Sequence, residues 1–316
     1  MKDLSLGIDT SNYKTSVAVV NKDGELLFNH QQLLDVKKGE RGLRQSTALF
    51  QHVQNLPPVL ETLFNENREM CERIGAVSVS EKPRPVEGSY MPVFTAGMGF
   101  ARTLAASLNV PLFKFSHQEG HIEAIKFYSA LKDVTPLVCF HFSGGTTEAI
   151  LVNDEEYKLV GGSKDISYGQ VLDRIGVAMG MEFPCGAQLD EIALKNMGEK
   201  YPAIFTPVKV KDGFVNLSGI ETQGQRFIGQ YDNEAVIGDL FKNISRSILK
   251  MTLQISEEYD IKNFIFAGGV SGSKYVQKYL SDELTNKHFN AVFGHPQYTS
   301  DNAIGTALLG GKQIWL

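Results

Sequence analysis

Apolar and polar positions come in short blocks along the chain. The run Leu4-Ser5-Leu6-Gly7-Ile8-Asp9-Thr10-Ser11 is apolar at first and ends in Gly, Asp and hydroxyl residues. Thr15 to Val20 reads as a second strand and Asn21-Lys22-Asp23-Gly24 as a tight turn. The chain therefore opens strand, polar turn, strand. The same order returns about 130 residues later. Leu137 to Phe142 leads into Ser143-Gly144-Gly145-Thr146-Thr147, Glu148 to Val152 is the return strand, and Asn153-Asp154-Glu155 the next turn. The two segments align without a gap, so the pattern predicts two related lobes.

Between the repeats, Thr47 to Glu66 has helical spacing, interrupted by Pro57-Pro58. Ile74 to Val79 lacks polar alternation, which predicts a buried strand. Thr95 to Leu108 reads as a buried helix and Val110 to Phe115 as a short strand. After the second repeat come predicted helices at Tyr168 to Met179, Asp190 to Met197, Ala235 to Tyr259 and Ser273 to Leu284. A Phe183-Pro184-Cys185-Gly186 turn and strands at Asn263 to Ala267 and Ala291 to Phe293 accompany them. The closing helix, Asn302 to Gly310, is built from small residues. Strand–helix alternation marks an α/β fold. No linker-like segment interrupts it, so a first lobe over 1–130 and a second over 131–316 are expected to be closely joined. The last helix is a candidate to pack back on the first lobe.

Composition narrows the setting. The 316 residues are 42% hydrophobic and 21% charged, an ordinary globular balance for two domains or one bilobal unit. No apolar run reaches the ~18–20 residues of a membrane span, and Met1 to Ser5 lacks a signal-peptide core, so no membrane association is expected. Cys71, Cys139 and Cys185 are too few and too scattered for a disulfide framework, which fits a cytoplasmic protein. With 31 Lys and Arg against 36 Asp and Glu, the net charge of −5 argues against unaided nucleic-acid binding. Lys37-Lys38 with Arg41 and Arg44 is the best basic cluster.

The sharpest chemical feature is Ser116-His117-Gln118-Glu119-Gly120-His121. Ser116 and Glu119 make a capping-box pattern, so a helix should start here. His117 and His121 then stand at i and i+4 on one face, a geometry able to clamp a metal, although helical His pairs also arise without one. A zinc-protease helix would carry Glu directly after the first His, where this chain has Gln118. Glu119 should point away from the imidazoles. Asp301, in Tyr298-Thr299-Ser300-Asp301-Asn302, is a candidate third ligand, with a helix N-cap as its plainer role.

A second constellation lies in the turns. Gly7 with Asp9, Thr10 and Ser11, and Ser143 to Thr147, offer backbone amides and hydroxyls suited to phosphates and a divalent ion. Each turn alone could equally be structural. Gly268-Gly269 stands between a strand and a helix, where a ligand can approach the backbone near a helix N-terminus, or where the chain simply packs closely. Neither a P-loop nor a Gly-x-Gly-x-x-Gly fingerprint is present. Asp173 could accept from ribose hydroxyls, but its helix position reads first as a solvated face. No Gly-x-Ser-x-Gly elbow occurs, and Cys139 with His141 on one strand reads as core.

Together these motifs resemble the ASKHA superfamily (actin, sugar kinase, Hsp70), and within it the TsaD/Gcp family of tRNA adenosine threonylcarbamoyltransferases, once labelled glycoproteases. The resemblance runs over nearly the whole chain. It covers Gly7 to Ser11, Arg44 to Pro57 with His52, His117 to His121, Ser143-Gly144-Gly145, Gly169 to Asp173, Phe183 to Asp190, Gly268-Gly269-Val270 and Thr299 to Asn302. It implies an α/β fold of two duplicated lobes with a central cleft. It implies one divalent metal, iron or zinc, on His117, His121 and Asp301. It also implies ATP or a carbamoyl-adenylate, with Mg, on His141, Phe142, Ser143, Gly144 and Gly145, with Asp173, Gly186, Asp190, Gly268, Gly269 and Ser273. Asp9, Thr10 and Ser11 fall on the phosphate side. No catalytic residue is implied beyond the metal centre.

The chain departs from the family pattern at Thr146, where the family has His, at Cys185 inside a Pro-Gly-Gly motif, and at Ser273 in place of Asn. The Gly-rich loop of the family is replaced by Lys82-Pro83-Arg84-Pro85-Val86-Glu87-Gly88. A divergent relative is therefore expected. Its reaction would be transfer of threonylcarbamoyl to tRNA adenosine, or to a related acceptor, with accessory proteins such as a shorter TsaB-like homologue, or a homodimer, docked through the first lobe. Three alternatives stay open: an ATP-dependent carbamoyltransferase or small-molecule kinase, a non-catalytic nucleotide-binding assembly subunit, and, least supported, a metallo-endopeptidase.

Overall fold

The computed structural model describes residues 2–11, 13–36, 43–154, 156–199, 202–299 and 303–315. Asp301 and the basic residues Lys37, Lys38 and Arg41 lie outside them. The chain divides into two compact units, Met1–Tyr128 with Gln297–Leu316, and Ser129–Pro296.

In the first unit, β1 (Leu4–Thr10), β2 (Lys14–Val20) and β3 (Leu26–Leu33) form an antiparallel meander. Helices α1 (Gln45–Glu66) and α2 (Arg68–Glu72) lead to β4 (Ile74–Lys82), which lies parallel to β1. Helix α3 (Phe94–Leu108), strand β5 (Leu112–Ser116) and helix α4 (His117–Phe127) follow. The sheet order is β3-β2-β1-β4-β5. β1 is buried at every residue, as its apolar start requires. Leu6, Ile8, Val17, Val77 and Leu56 meet in one core cluster beneath it.

Helix α1 runs unbroken through Pro57 and Pro58, contrary to the interruption expected there. A proline ring holds φ near the helical value, so the cost is the missing amides. Those amides would have bonded the carbonyls of Val53 and Gln54, residues on the solvent side of α1, where water replaces the lost donors. The apolar stripe of Ala48, Leu56, Val59, Leu60 and Leu63 faces inward and keeps the helix whole.

The second unit repeats the plan. Strands β6 (Leu137–Phe142), β7 (Thr147–Asn153) and β8 (Glu156–Ser163) form the meander. Helices α5 (Tyr168–Ala178) and α6 (Gly186–Lys195), the short strands β9 (Val210–Lys211) and β10 (Phe214–Val215), and helices α7 (Ser218–Phe227) and α8 (Asn233–Tyr259) follow. Then come β11 (Asn263–Ala267), α9 (Lys274–Thr285) and β12 (Asn290–Phe293). The sheet order is β12-β11-β6-β7-β8-β10-β9, with β6 antiparallel to β7 and parallel to β11. Without β10 and β9 this is the order and direction of the first sheet. The hairpin registers match as well. Thr10 pairs with Thr15 and Phe142 with Thr147, so each hairpin closes over four residues, 11–14 and 143–146.

β3, β8 and α7 are not announced by the pattern of apolar positions. β3 carries Asn29, His30, Gln31 and Gln32 at the sheet edge, so no period-two signal survives. Helix α7 buries only Ile220 and Gly224, too few for a visible stripe. Its first amides are capped from a distance, since Asp165 accepts from Leu217 N at 2.8 Å and Ser218 N at 3.0 Å, and from Ile166 N at 2.7 Å. Burial works against the charged form of Asp165, but these donors outweigh it and hold the carboxyl well below the usual range.

The chain ends with α10 (Pro296–Thr299) and α11 (Ile304–Lys312). In the first unit α11 lies on β1, β4 and α4. Its one exposed residue is the last, Lys312, and Ile304, Thr306, Ala307 and Leu308 are buried. A Cβ on Gly305 would collide with the Gly120 carbonyl oxygen of α4, so the two helices touch backbone to backbone.

Gly305→Ala should therefore destabilise the chain by about 1–3 kcal/mol or more, read as a lowered thermal midpoint, with α4 the element displaced. Asp165→Ala should cost about 1 kcal/mol, the usual loss for an N-cap, read by urea denaturation at neutral pH. Asp165 has a depressed pKa, so its contribution is present above ~4 and fades as pH falls. The two proteins should converge in stability toward low pH.

Candidate metal centre and nucleotide-side turns

The first unit brings together two of the candidate metal residues, His117 and His121. Ser116 ends β5 and caps α4, accepting from Glu119 N at 3.2 Å, while Glu119 Oε2 accepts from Ser116 N at 2.6 Å. The capping box is therefore real, and it spends the Glu119 carboxylate on the helix start. That removes Glu119 from any role as a general base and weighs against a metallopeptidase. The cap fixes the first turn of α4, which carries His117 and His121.

The two imidazoles converge. Their Nε2 atoms are 2.9 Å apart and the rings meet edge to face at 84°. Two nitrogens bound to one ion at ~2.05 Å and 90–109° stand ~2.9–3.3 Å apart, so the pair fits a shared metal. It equally fits an N–H···N hydrogen bond. Among the described residues no group of three or more His, Cys, Asp or Glu is set around one ion, so a third protein donor would come from outside them, where Asp301 lies.

Behind the pair stands Asp9, fully buried on β1, with Oδ1 2.9 Å from His117 Nδ1. Its Oδ2 accepts from Ser11 N at 3.4 Å. Thr10 Oγ1 donates to Val93 O at 3.0 Å and accepts from Gly97 N at 3.1 Å. The hydroxyl expected on the phosphate side thus ties β1 to the start of α3. The Ser11 hydroxyl is buried and has no hydrogen-bond partner among the described residues. His52 on α1, quoted in the sequence only as part of a longer motif, is fully buried and braces this hairpin. Its Nε2–H donates to Ser11 O at 2.8 Å, and Thr15 Oγ1 lies 2.8 Å from Nδ1. Burial lowers the His52 pKa, against the bond to Ser11 and the charge of Asp9, so the ring is neutral near pH 7.

The second unit holds the other candidates. In the turn after β6, Ser143 N donates to Thr146 O at 2.8 Å and Thr146 N to Ser143 Oγ at 3.1 Å. A Cβ on Gly144 or Gly145 would meet nothing within 4 Å, so that backbone is open to approach. Gly268 follows β11 at φ +90°, a conformation L side chains rarely adopt, and a Cβ there would strike Phe142 O. The same point is 3.0 Å from His141 Cδ2, so the His141 ring flanks Gly268. Val270 N closes the arrangement by donating to Phe142 O at 2.9 Å. His141, Phe142, Ser143, Gly268 and Gly269 are thus brought together by the pairing of β6 with β11.

Two acids differ from their sequence reading. Asp173 is not on a solvated face. It is half-buried, and its Oδ1 accepts from Cys185 N at 2.8 Å, holding the turn before α6. Asp190 lies within α6, which starts at Gly186 rather than at Asp190. Its carboxylate accepts from the Ser273 hydroxyl, from Lys274 N at 2.8 Å and from Tyr275 N at 3.1 Å, capping α9. The Cys185 thiol is buried, and burial with the Asp173 charge pushes its pKa up, so it is not a nucleophile. Burial pushes Cys139 up to about 12, which fits its core reading.

Known proteins resemble this chain in sequence and in fold. The chain is 26% identical over 315 residues to a tRNA N6-adenosine threonylcarbamoyltransferase of Thermosipho africanus, covering 97% of this chain and 93% of the relative. It is 28% identical over 318 residues to the protein of that name from Caldicellulosiruptor saccharolyticus, covering 97% and 92%. Among solved structures it superposes on component A of the Acidaminococcus fermentans (R)-2-hydroxyglutaryl-CoA dehydratase with a TM-score of 0.55, at 15% identity and 98% coverage of both chains. It superposes on a ROK family glucokinase from Streptomyces griseus at 0.53, with 12% identity and coverage of 98% and 99%. These likenesses show an α/β fold of the ASKHA type. The family model for TsaD, tRNA N6-adenosine threonylcarbamoyltransferase, matches residues 29–308, and the chain belongs to that family.

Proposed function

We propose that this chain is an enzyme that transfers a threonylcarbamoyl group from a carbamoyl-adenylate to the exocyclic amine of a tRNA adenosine. The observation that carries this reading is the family match over residues 29–308. The converging Nε2 atoms of His117 and His121 support it.

His117 and His121, with Asp301, would hold one iron or zinc ion in the first unit. Bound there, the ion would supply Lewis-acid polarisation of an acyl or carbamoyl oxygen. The protein's own groups do the positioning. The capping box sets the first turn of α4, and Asp9 and the α11 packing hold the two rings in place. In the second unit the Ser143-Gly144-Gly145 turn presents amides to an anionic ligand, and Gly268 and Gly269 leave the backbone open beside it. The second oxygen of Asp173 would accept from a ribose hydroxyl. Gly186, Asp190 and Ser273 shape the turn and the start of α9. Asp190 acts there by holding the α9 amides rather than by meeting the ligand. ATP with magnesium, or the adenylate, is the nucleotide that suits these turns of the second unit.

A net charge of −5 makes help with the RNA necessary, so tRNA would be held with accessory proteins. Phe50 and Val53 are exposed one turn apart on α1, which suits docking of a shorter homologue or a second copy on the first unit. No helix among the described residues is long and apolar enough to cross a membrane. Three free, buried cysteines suit a reducing cytoplasm.

Incubation of the chain with unmodified tRNA, ATP, bicarbonate, threonine, the adenylate-forming synthase and accessory proteins should yield threonylcarbamoyl-adenosine, read by nucleoside mass spectrometry. No product with all components present would sink the reading. Elemental analysis of the purified chain should give about one transition-metal ion per molecule. His121→Ala should retain less than about a tenth of it with an unchanged circular dichroism spectrum, since one imidazole is a poor clamp. Full occupancy in the variant would refute the clamp.

A further inference from the structure

We propose that Asp9 is a positioning residue that fixes the tautomer and the ring orientation of His117. The inference rests on the reading that His117 and His121 hold a metal, and it extends that reading inward by one residue. The β1–β2 turn suggests a phosphate-side role for Asp9. A carboxylate buried to 0% exposure and already bonded to an imidazole is poorly suited to a phosphate, because its charge repels the ligand and its oxygens are engaged.

With Asp9 ionised and the His117 imidazole neutral, the hydrogen-bond geometry assigns which nitrogen carries the proton. An ionised carboxylate only accepts, so at 2.9 Å His117 Nδ1 must donate to Asp9 Oδ1. His117 Nε2 then carries its lone pair, and that atom is the one 2.9 Å from His121 Nε2. Two lone pairs do not approach to that distance, so in the metal-free chain His121 donates its Nε2–H to His117. An isolated imidazole has no such constraint, and either ring nitrogen can hold the proton. A carboxylate behind a ligating histidine also raises the basicity of the far nitrogen.

Asp9 is itself held. Its Oδ2 meets Ser11 N at 3.4 Å, and the Ser11 carbonyl, which can only accept, receives His52 Nε2–H at 2.8 Å. His52 Nδ1 is therefore an acceptor for the Thr15 hydroxyl at 2.8 Å, and Asn55 Nδ2 donates to that hydroxyl at 3.2 Å. A continuous set of bonds with one consistent direction thus runs from α1, through the hairpin, to the imidazole on α4. Among the described residues, Glu119 is committed to the cap, and Glu123 on the same helix faces Lys312 at 2.7 Å. Asp9 is the carboxylate placed behind His117.

The test needs no catalysis. Long-range proton–nitrogen correlation spectra of the histidine-labelled, metal-free wild-type chain at mildly alkaline pH should show His117 as the Nδ1–H tautomer and His121 as the Nε2–H tautomer. His117 as Nε2–H would overturn the proposal. Zinc affinity is then measured by competition with a chromophoric chelator. Asp9→Asn keeps an acceptor for Nδ1–H without the charge, and should bind about 10-fold more weakly while keeping the tautomer. Asp9→Ala removes both and should lose about 100-fold, with His117 no longer held as Nδ1–H. Thermal melts establish that the variants are folded. If Asp9→Ala fails to fold, the wild-type spectrum and the near-isosteric Asn variant decide the matter. Binding within twofold of wild type in a folded variant would overturn the proposal. A wild-type chain that binds no zinc would instead refute the metal reading, and the spectrum alone would then judge the role of Asp9.

Discussion

The backbone contact between α11 and α4 is the constraint on which the first unit depends. Helices carrying ordinary side chains pack about 8–10 Å apart. Here a Cβ at Gly305 has no room beside the Gly120 carbonyl, so the axes come closer. Ser80 Oγ and Thr306 Oγ1 meet at 3.1 Å, and Ala303 N donates to Ser16 Oγ at 3.2 Å, so α11 is tied by polar bonds to β4 and β2 as well. Tyr298, just before it, stacks on Tyr128 at 4.1 Å, and Tyr128 OH reaches Gly24 O at 2.6 Å. Tyr298, Ala303 and Thr306 are thereby each tied to other elements of the first unit. An α4 so confined can present two imidazoles at a fixed separation. A looser helix would leave them as two independent side chains.

The acidic residues are spent largely on backbone amides, whether buried as Asp239 is, half-buried as Asp190 and Glu119 are, or exposed as Asp165 is. A buried carboxylate must find donors or give up its charge. Asp239, with 4% exposure, meets Ile204 N at 2.7 Å and Phe205 N at 2.8 Å, fixing a loop of the second unit on α8. Asp190 caps α9, Asp165 caps α7, and Glu119 caps α4. Each of these acids serves as scaffold. Asp9 differs in that its partner is an imidazole which itself faces a second imidazole.

Much of this was legible beforehand, for identifiable reasons. The two strand-turn-strand segments align because each must close a four-residue hairpin between a buried strand and its return, and the sheets repeat that plan. The capping box at Ser116 was visible because its signature is local, within four residues. Bonds between distant segments were not legible. Nothing near Asp190 in sequence points to the start of α9, and nothing near Asp173 points to Cys185. His52 stood in a recognisable stretch, yet its role depends on Thr15 and Ser11, far away in the chain. The proline pair in α1 misled because the cost of a proline depends on whether the freed carbonyls face water.

The three single-residue departures from the family pattern, Thr146, Cys185 and Ser273, fall in the second unit, and each has a local partner; the replaced loop over 82–88 lies in the first. Thr146 closes the turn through its amide to Ser143 Oγ, a bond that any residue with a backbone N–H can make. Cys185 fills the space against Gly176 of α5, where a Cβ on the glycine would meet the Cys185 side chain, and its thiol lies 3.4 Å from Glu182 O. Ser273 accepts from Val276 N at 3.1 Å and donates to Asp190, so it caps α9 and joins it to α6. The replacements are thus absorbed into the packing of the unit and do not leave buried polar groups without partners. In the first unit the imidazole pair and the carboxylate behind it form a set in which removing one member unsettles the others. Divergence by single steps is cheap in the first case and costly in the second, which is a physical reason for a chain to vary around its nucleotide-side turns while keeping its histidines.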